Sequence, residues 1–293
     1  MVSRSSRPKL LVIVGPTASG KSGLALKIAE EFDGEVICAD SRTVYKGMDI
    51  GTAKPTEEDQ AKVKHWGLDL VEPAQRFTAY QFKEYAQSAI SDIQGRGKLP
   101  ILVGGTGLYI DSVIFDFGFR ADADLAERKK LEALDIEALQ DFIREMSLSM
   151  PFNFKNRRHL IRTIETKGQL GTKKSRLDQG IILVGLMPSD SQLKRQIEAR
   201  VDNNFQGLAL ETAGLINIYG EKGLLATAGI AYKISTRFIN GEIDEERAKE
   251  LINNADWQYA RRQKTWFKRN PHIDWFNSSE ATYEFVKNRL LNT

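Results

Sequence analysis

Apolar residues occur along the chain in two patterns that alternate. Four short, continuous apolar runs predict buried β-strands: 10–14, 35–38, 99–103 and 181–186. Segments in which apolar residues recur every three or four positions predict α-helices: 23–32, 77–94, 189–203, 209–219, 232–240 and 244–268. The HIDWF segment at 272–276 predicts a last short strand. Buried strands that alternate with helices are typical of an α/β fold with a parallel sheet flanked by helices.

A charged helical stretch interrupts this alternation. Residues 122–150 carry an apolar stripe between charged positions, and residues 156–166 predict a second amphipathic helix. Neither segment contains a run typical of a buried strand. We therefore predict an α/β core made of residues 1–119 and 179–293, with residues 120–178 inserted as a helical subdomain.

The first apolar run leads into a glycine-rich segment with an informative spacing. Residues 15–22 read GPTASGKS, which matches the P-loop pattern G-x-x-x-x-G-K-[ST] between a predicted strand and a predicted helix. Backbone N–H groups, the helix N-terminus and the lysine attract phosphate oxygens in such a loop, and the serine hydroxyl is a ligand for Mg²⁺. The motif predicts that a di- or triphosphate binds to these residues: Gly15, Thr17, Ala18, Ser19, Gly20, Lys21 and Ser22. It does not by itself identify the phosphate compound.

Candidate reactive residues follow two other predicted strands. Ala39 and Asp40 follow the strand at 35–38, and Thr106 lies in the GGTG segment after the strand at 99–103. Ligands of open parallel sheets bind beyond the carboxyl ends of the strands, so we expect both side chains next to the P-loop. Asp40 is suited to act as a general base or to hold Mg²⁺ through water, and capping of the strand end is a third interpretation. The glycines beside Thr106 are expected to bring backbone N–H groups close to the ligand.

Composition excludes several classes of protein. With one cysteine and three histidines in 293 residues, we expect neither an internal disulfide nor a structural zinc site. Every apolar run falls short of the roughly 18 residues that a membrane helix needs. The apolar run at 10–14 is also too short for the core of a signal peptide. We therefore expect a cytoplasmic protein without a membrane partner, in which Cys38 is an inert core residue.

Charge is distributed unevenly along the chain. The net charge is only +3, but residues 151–180 hold eight basic and two acidic residues, and residues 257–270 hold five basic residues and no acidic one. The rest of the chain is therefore mildly acidic. Two basic segments on an acidic body, together with a phosphate-binding loop, favour a nucleic acid as partner over two solvated helix faces.

Several motifs occur together in an order that is known from one enzyme family. They are GPTASGKS, ADSRTVYKGMDIGTAKP, LVGGTGLY, NRRHLIRTIE, RVDNNFQGL, GIAYK and RRQKTWFKR, and they extend over nearly the whole chain. By these motifs the chain resembles the tRNA dimethylallyltransferases. The most specific segment is Asp40 to Pro55, which ordinary P-loop kinases do not carry.

The resemblance implies a fold, a reaction and partners. The expected fold is a P-loop NTPase-like α/β core with a helical insertion that holds the anticodon arm of a tRNA. The expected reaction moves the dimethylallyl group of dimethylallyl diphosphate to the exocyclic N6 amine of the adenosine 3′ of the anticodon. Diphosphate leaves, and no ATP is hydrolysed. We accordingly expect Mg²⁺ as cofactor, dimethylallyl diphosphate and a tRNA anticodon stem-loop as substrates, and a monomeric protein.

The resemblance also implies roles for individual residues. Asp40 would be the general base, Thr106 would bind the bridging oxygen of the donor, and Lys21 would stabilise the leaving diphosphate. The following residues are expected to contact the tRNA: Ser41, Arg42, Tyr45, Asp49, Gly51, Thr52, Arg158, Arg162, Arg261, Arg262, Gln263 and Trp266. Helix packing is an alternative interpretation of Trp266.

Two positions depart from the family pattern. Arg or Gln is usual where this chain has Ala228, and Gly is usual where it has Ala231. The phosphates of the donor therefore lose a partner, which Lys222 or Lys233 are candidates to replace. Three other functions stay open at this point: prenyl transfer to a free adenine nucleotide, phosphoryl transfer by a small-molecule kinase, and RNA binding without catalysis.

Overall fold

The structure is a computed structural model that describes residues 9–119, 125–169 and 172–292. The larger part of the chain is built around a parallel β-sheet, and such sheets are twisted. Its strands in the described residues are β1 Leu10–Val14, β2 Gly34–Ala39, β3 His65–Trp66, β4 Leu99–Gly104, β5 Ile181–Leu186 and β6 Asp274–Phe276. Their order across the sheet is β3-β2-β4-β1-β5-β6, and every neighbouring pair is parallel. The predicted α/β class and the predicted strands are confirmed. The two-residue β3 was not predicted, because so short a strand leaves no pattern in the sequence.

The register of the three central strands determines where the site forms. Every residue of β1, β2 and β4 is buried, which explains why these strands are continuous apolar runs and not alternating ones. Val14 and Ala39, the last residues of β1 and β2, both pair with Gly104, the last residue of β4. The loops that begin after these residues therefore start side by side at one edge of the sheet.

The helices of the described residues are α1 Lys21–Glu31, α2 Glu57–Lys62, α3 Ala79–Gly95, α4 Gly107–Ile114, α5 Leu125–Ala133, α6 Ile136–Glu145, α7 Arg157–Glu165, α8 Asp190–Thr227, α9 Ile230–Ile239, α10 Glu245–Phe267 and α11 Ser279–Leu291. Capping residues define several of the predicted ends. Thr78 caps α3 in a capping box with Gln81, and Asp244 caps α10. Short α2 and α4 and the C-terminal α11 were not predicted. None of these helices has the length and apolar content that crossing a bilayer requires.

Two predicted helix boundaries are wrong. The helices expected at 189–203 and 209–219 form one continuous stretch of α8, which runs through Gly207. At Gly220, with φ 69° and ψ 156°, α8 kinks, and a second helical stretch continues to Thr227. Gly207 does not break the helix; a Cβ atom there would lie 2.8 Å from Ile50, so glycine serves close packing. The helix expected over 122–150 is two helices, α5 and α6, because Asp135 caps the second by accepting the N–H of Ala138. Residues 122–124 lie outside the described residues.

The chain divides into two compact units, Met1–Ile114 with Arg176–Thr293 and Phe115–Ser175. The sequence-based boundaries at 119/120 and 178/179 differ from these by three to five residues. The second unit contains α5, α6 and α7 around an apolar cluster that includes Leu139, Ile143 and Ile161. Arg128 of α5 donates to the buried Glu165 of α7 at 2.8 Å. Residues 120–124 and 170–171, which the prediction assigned to the insertion, lie outside the described residues.

Candidate active site

The P-loop connects β1 to α1 and is shaped for an anion. Ala18 and Gly20 have φ values of 60° and 88°, in the left-handed region, and Gly20 caps α1 without a side-chain hydrogen bond. The N–H groups of the first turn of α1 therefore have no capping side chain and are open to a phosphate. The ammonium of Lys21 donates to the carbonyl of Pro16 at 3.2 Å and lies over the loop.

The charge of Lys21 depends on its surroundings. Burial lowers the pKa of this half-buried ammonium to about 8, the negative charge of Asp40 works against the shift, and the guanidinium of Arg200 adds to it. The three groups therefore lie close enough to influence one another. A bound diphosphate adds negative charge beside the ammonium and favours its protonated form.

Asp40 and Thr106 lie together beyond β2 and β4, as the sequence predicted from the strand ends. Thr106 Oγ1 accepts the N–H of Ser41 at 3.1 Å, and Asp40 Oδ1 accepts the N–H of Arg42 at 2.7 Å. The phenol of Tyr259 on α10 also hydrogen-bonds with the Thr106 side chain, and burial raises the pKa of this phenol to about 12. Asp40 thus shapes its own turn, and it also faces the cavity described next. Its role as a base stays a prediction.

A cavity of about 320 Å³ opens beside these residues. Its polar lining includes Thr17, Asp40 and Arg200. Apolar side chains from α8, α9, α10 and the loop after Asp40 also line the cavity: Ile50, Val201, Phe205, Leu208, Ile230 and Ile252. Asn204, Asp256 and Arg262 add polar groups among them. A cavity lined by both charged and apolar side chains suits a ligand that joins a diphosphate to a short hydrocarbon chain.

Arg200 is the functional residue that sequence reasoning missed most clearly. Its Nη1 donates to Thr17 Oγ1 at 2.9 Å, and its Nη2 donates to Asp256 at 2.6 Å. The sequence shows only an arginine in the amphipathic pattern of a helix, within the quoted RVDNNFQGL segment. Nothing in that pattern indicates that this side chain reaches a loop near residue 17.

Arg200 also changes the interpretation of Ala228. Ala228 is buried at the C-terminal end of α8, so it offers no charge to a ligand. Lys222 and Lys233, the predicted replacements, are both exposed, and neither has a hydrogen bond or ion pair with the P-loop in the described residues. Arg200, by contrast, does contact the P-loop, through Thr17.

The glycine-punctuated loop after Asp40 is held in place by one carboxylate. Glu211 of α8 accepts the N–H groups of Asp49, Ile50 and Gly51 at 3.0, 2.7 and 3.1 Å. The hydroxyl of Tyr232 donates to the same carboxylate at 2.5 Å. This clamp fixes a part of the loop that lines the cavity. The sequence of the loop gave no indication of Glu211, which lies 160 residues beyond Gly51 along the chain.

The remaining residues of this loop have mixed positions. Ser41, Arg42, Gly51 and Thr52 line the cavity, and Asp49 is exposed, although its carboxylate accepts a hydrogen bond from the buried Lys54. Tyr45 does not face a ligand: it is 5% exposed and belongs to an apolar cluster under the loop. The prediction that Tyr45 contacts tRNA is therefore corrected to a packing role.

Gln263 also has a position that differs from the prediction. Its side chain is buried, with 4% of its surface exposed, so it does not present its amide to a macromolecule. The amide accepts the N–H of Thr17 at 2.8 Å and donates to the carbonyl of Gly105 at 3.0 Å. Gln263 therefore links the P-loop to the GGTG loop.

The glycines of the GGTG loop allow two side chains of α10 to approach. A Cβ atom at Gly105 would lie 2.1 Å from Gln263 Nε2, and one at Gly107 would lie 2.2 Å from the Trp266 ring. Trp266 donates from its indole to Asp111 at 2.7 Å and is 37% exposed. The expectation that these glycines bring backbone N–H groups close to a ligand stays a prediction.

An arginine-rich surface lies on the exposed side of α10 and the turn that follows it. Arg261 and Arg262 of α10 and Arg269 of the turn are exposed there and, with Trp266, line a groove of about 550 Å³. Arg262 lines both this groove and the cavity beside Asp40. A phosphate chain in the groove would therefore lie next to the entrance of the cavity.

The second unit carries its own basic groove, of about 950 Å³. The exposed Arg158 and Arg162 of α7 line it together with Phe152, which is 97% exposed. Arg162 also donates to Glu165 at 3.3 Å. Arginines beside an exposed aromatic ring suit contacts to phosphates and unstacked bases.

The residues present are compatible with Mg²⁺ bound through a phosphate ligand. Among the described residues, no cluster of three or more His, Cys, Asp or Glu side chains forms a metal site. Ser22 is exposed in the first turn of α1, beside the open N–H groups of the P-loop. Mg²⁺ usually binds to one or two protein oxygens and to substrate phosphates while it keeps several waters, so a single hydroxyl is a sufficient protein ligand.

Comparisons with known proteins agree with this geometry. A family model described as IPP transferase matches residues 43–270. A tRNA dimethylallyltransferase of Staphylococcus carnosus is 34% identical over 98% of this chain and 96% of its own length. One of Acetivibrio thermocellus is 36% identical over 95% of each chain.

Solved structures are similar as well. A tRNA isopentenylpyrophosphate transferase of Bacillus halodurans is 31% identical with a TM-score of 0.72, over 98% of both chains. A eukaryotic dimethylallyltransferase solved while acting on tRNA has a TM-score of 0.75 over 96% of this chain and 80% of its own. It is 24% identical and is evidence for the fold alone.

Proposed function

The chain belongs to the IPP transferase family, and we propose that it transfers the dimethylallyl group of dimethylallyl diphosphate to N6 of the adenosine 3′ of a tRNA anticodon. The observation that carries the proposal is the meeting of Asp40, Arg200 and Thr17 of the P-loop in one cavity that apolar side chains also line, with Thr106 hydrogen-bonded to the neighbouring Ser41. The arginine-rich groove of α10 adjoins this cavity through Arg262.

The reaction needs a stabilised leaving group and an activated amine. The P-loop amides and Lys21 take up the negative charge that develops on the diphosphate as the C1–O bond of the donor breaks. The hydroxyl of Thr106, which accepts the N–H of Ser41 beside Asp40, would donate to the bridging oxygen. Mg²⁺ held by Ser22 and the phosphates would neutralise further charge when it is bound.

The nucleophile is the N6 amine of adenine, whose lone pair is delocalised into the ring. As the new N6–C1 bond forms, Asp40 accepts the proton that N6 loses, so that diphosphate and prenylated adenosine are the products. The adenine leaves its stack in the anticodon loop to reach the cavity. Arg261 and Arg262, and Arg158 and Arg162 of the second unit, hold phosphates of the arm. We further propose that the enzyme acts in the cytoplasm as a monomer.

One assay tests the proposal directly. Purified protein, Mg²⁺ and labelled dimethylallyl diphosphate are incubated with an anticodon stem-loop that has adenosine 3′ of the anticodon, or with free AMP. Label is expected on the stem-loop and is expected to disappear when that adenosine is replaced by guanosine. Label on AMP alone would instead show a nucleotide prenyltransferase, and binding of the stem-loop without transfer would show an RNA-binding protein without this activity.

Replacement of both Arg261 and Arg262 with glutamine is expected to weaken stem-loop binding and to flatten its salt dependence. Each phosphate contact contributes roughly 0.7 to 0.9 to the slope of log K against log salt, so the slope should fall by about 1.4 to 1.8. Titrations of labelled stem-loop at several salt concentrations measure it.

A double variant at Arg237 and Arg247 is the matched control. Both arginines are exposed and pair with nearby glutamates, Glu242 and Glu250, away from the groove. This variant carries the same change in net charge, so it measures how much of the change in salt dependence comes from net charge alone. Equal slopes for the two double variants would contradict the assignment of Arg261 and Arg262.

A further inference from the structure

Gln263 joins two loops that are distant in sequence. Its Oε1 accepts the N–H of Thr17 in the P-loop, and its Nε2 donates to the carbonyl of Gly105 in the GGTG loop. Thr17 offers a donor and Gly105 offers an acceptor, so only one orientation of the Gln263 amide can form both hydrogen bonds. The side chain that does this comes from the interior of α10, 246 residues from Thr17.

Only a glutamine satisfies this position completely. A glutamate would lack a donor for the Gly105 carbonyl while ionised, a methionine would lack both hydrogen-bonding groups, and an asparagine is one methylene shorter. The absence of a side chain at Gly105 lets the amide approach, because a Cβ atom there would lie 2.1 Å from Nε2. Gly105 in the loop and Gln263 on the helix are therefore both needed for this contact.

The two anchored backbone groups adjoin the reactive residues. Thr17 immediately precedes Ala18, which starts the left-handed turn of the P-loop. Gly105 immediately precedes Thr106, whose hydroxyl accepts from Ser41 beside Asp40. A change in either anchor would shift the amides that receive the diphosphate or the hydroxyl that faces its bridging oxygen. The N–H of Thr17 is itself engaged by Gln263, so the amides left for the donor are those that follow it in the loop.

We propose that Gln263 is a positioning residue for the prenyl donor: it sets the distance between the P-loop and the GGTG loop and thereby the geometry of diphosphate binding and departure. The proposal rests on the proposed function, since it assumes that the donor diphosphate lies between these loops. It assigns Gln263 to the donor side of the reaction and not to tRNA recognition, although the neighbouring Arg261 and Arg262 belong to the tRNA side.

The experiment compares Gln263→Met and Gln263→Glu with the wild type. For Gln263→Met, kcat/KM for dimethylallyl diphosphate at saturating stem-loop is expected to fall at least about tenfold, because two buried backbone groups lose their partner. The dissociation constant of the stem-loop is expected to stay within about twofold. Gln192→Met, on an exposed position of α8, is the matched control and should leave both quantities unchanged.

The pH dependence of Gln263→Glu separates positioning from general loss of packing. Once protonated, the glutamic acid again offers a carbonyl oxygen to Thr17 and a hydroxyl donor to Gly105, and burial beside a carbonyl raises its pKa into an accessible range. The ratio of variant to wild-type kcat/KM for the donor should therefore rise between pH 8 and about pH 5.5. Gln263→Met should show no such recovery.

Several results would overturn the proposal. They are an unchanged donor kcat/KM in Gln263→Met, a loss of stem-loop affinity with intact donor kinetics, and a ratio for Gln263→Glu that does not change with pH. If Gln263→Met does not fold, the pH series of Gln263→Glu decides alone. If the wild type binds the donor in calorimetry but does not label the stem-loop, the proposed function fails, and donor affinity of the variants still tests Gln263.

Discussion

Asp40→Asn is expected to slow transfer of the dimethylallyl group at saturating substrates by at least about 10²-fold, the usual scale of general-base catalysis. Asparagine keeps an oxygen that accepts the N–H of Arg42, so the turn after β2 should persist. It has no basicity, so N6 would have to lose its proton to water. Single-turnover transfer of labelled donor to the stem-loop measures the rate, while KM for the donor and the affinity for the stem-loop are expected to change little.

Asp33→Asn provides the control for Asp40. Asp33 lies just before β2, at the opposite end of the strand that leads to Asp40, and it pairs with Lys98 at 3.0 Å. The same loss of one charge at that end should leave the rate unchanged. A normal rate in Asp40→Asn would exclude the general base. A large loss of donor affinity with a normal rate at saturation would favour the alternative in which Asp40 holds Mg²⁺ through water.

The residues at this edge of the sheet could be predicted from the sequence, because each strand and the residues that follow it are adjacent in the chain. Each central strand is a continuous apolar run followed at once by a chemically distinctive residue: Gly15, Asp40 or the GGTG loop. In a parallel sheet, the ends of neighbouring strands must lie at the same edge. The register of Val14 and Ala39 with Gly104 is the observed form of this rule.

The contacts that complete the site could not be predicted in the same way. Gln263, Arg200 and Glu211 all lie on helices, and the 3.6-residue period indicates only which face of a helix is apolar. Whether a polar side chain on that face reaches a distant loop depends on how the helices pack. Gln263 therefore resembled a surface residue beside two arginines, and the glycine at 105 resembled a ligand contact. A buried polar side chain with both groups satisfied becomes visible only in three dimensions.

Ala228 also shows the difference between what the sequence and what the structure can indicate. The sequence motifs indicate that Ala228 replaces a polar side chain, and they suggest Lys222 and Lys233 as substitutes only because these lysines lie near the same segment. Arg200, which lies in the quoted RVDNNFQGL motif, donates both to Thr17 and to Asp256. Contact with the P-loop thus depends on distance in space and not in sequence.

Lys21→Met is expected to lower kcat/KM for dimethylallyl diphosphate by about 10² to 10³, because it removes the one full charge that the P-loop places on the leaving group. The wild type should in addition lose donor affinity as the pH rises. With its pKa lowered to about 8, the ammonium of Lys21 is half neutral at that pH, and diphosphate binds to the charged form. KM for the donor should therefore be constant below about pH 7.5 and rise above pH 8, by up to about tenfold per pH unit before bound diphosphate restores the proton.

Lys21→Arg distinguishes this titration from other effects of alkaline pH. An arginine keeps its charge above pH 12, so KM of this variant should not rise between pH 8 and pH 10, even if its longer, planar group lowers the rate. The half-buried ammonium of Lys21 is discharged in this range because burial opposes its charge more strongly than Asp40 supports it. A parallel rise of KM in the wild type and in Lys21→Arg would assign the pH effect to another group. A flat profile in the wild type would mean that Lys21 stays charged in the free protein, and that Asp40 outweighs burial.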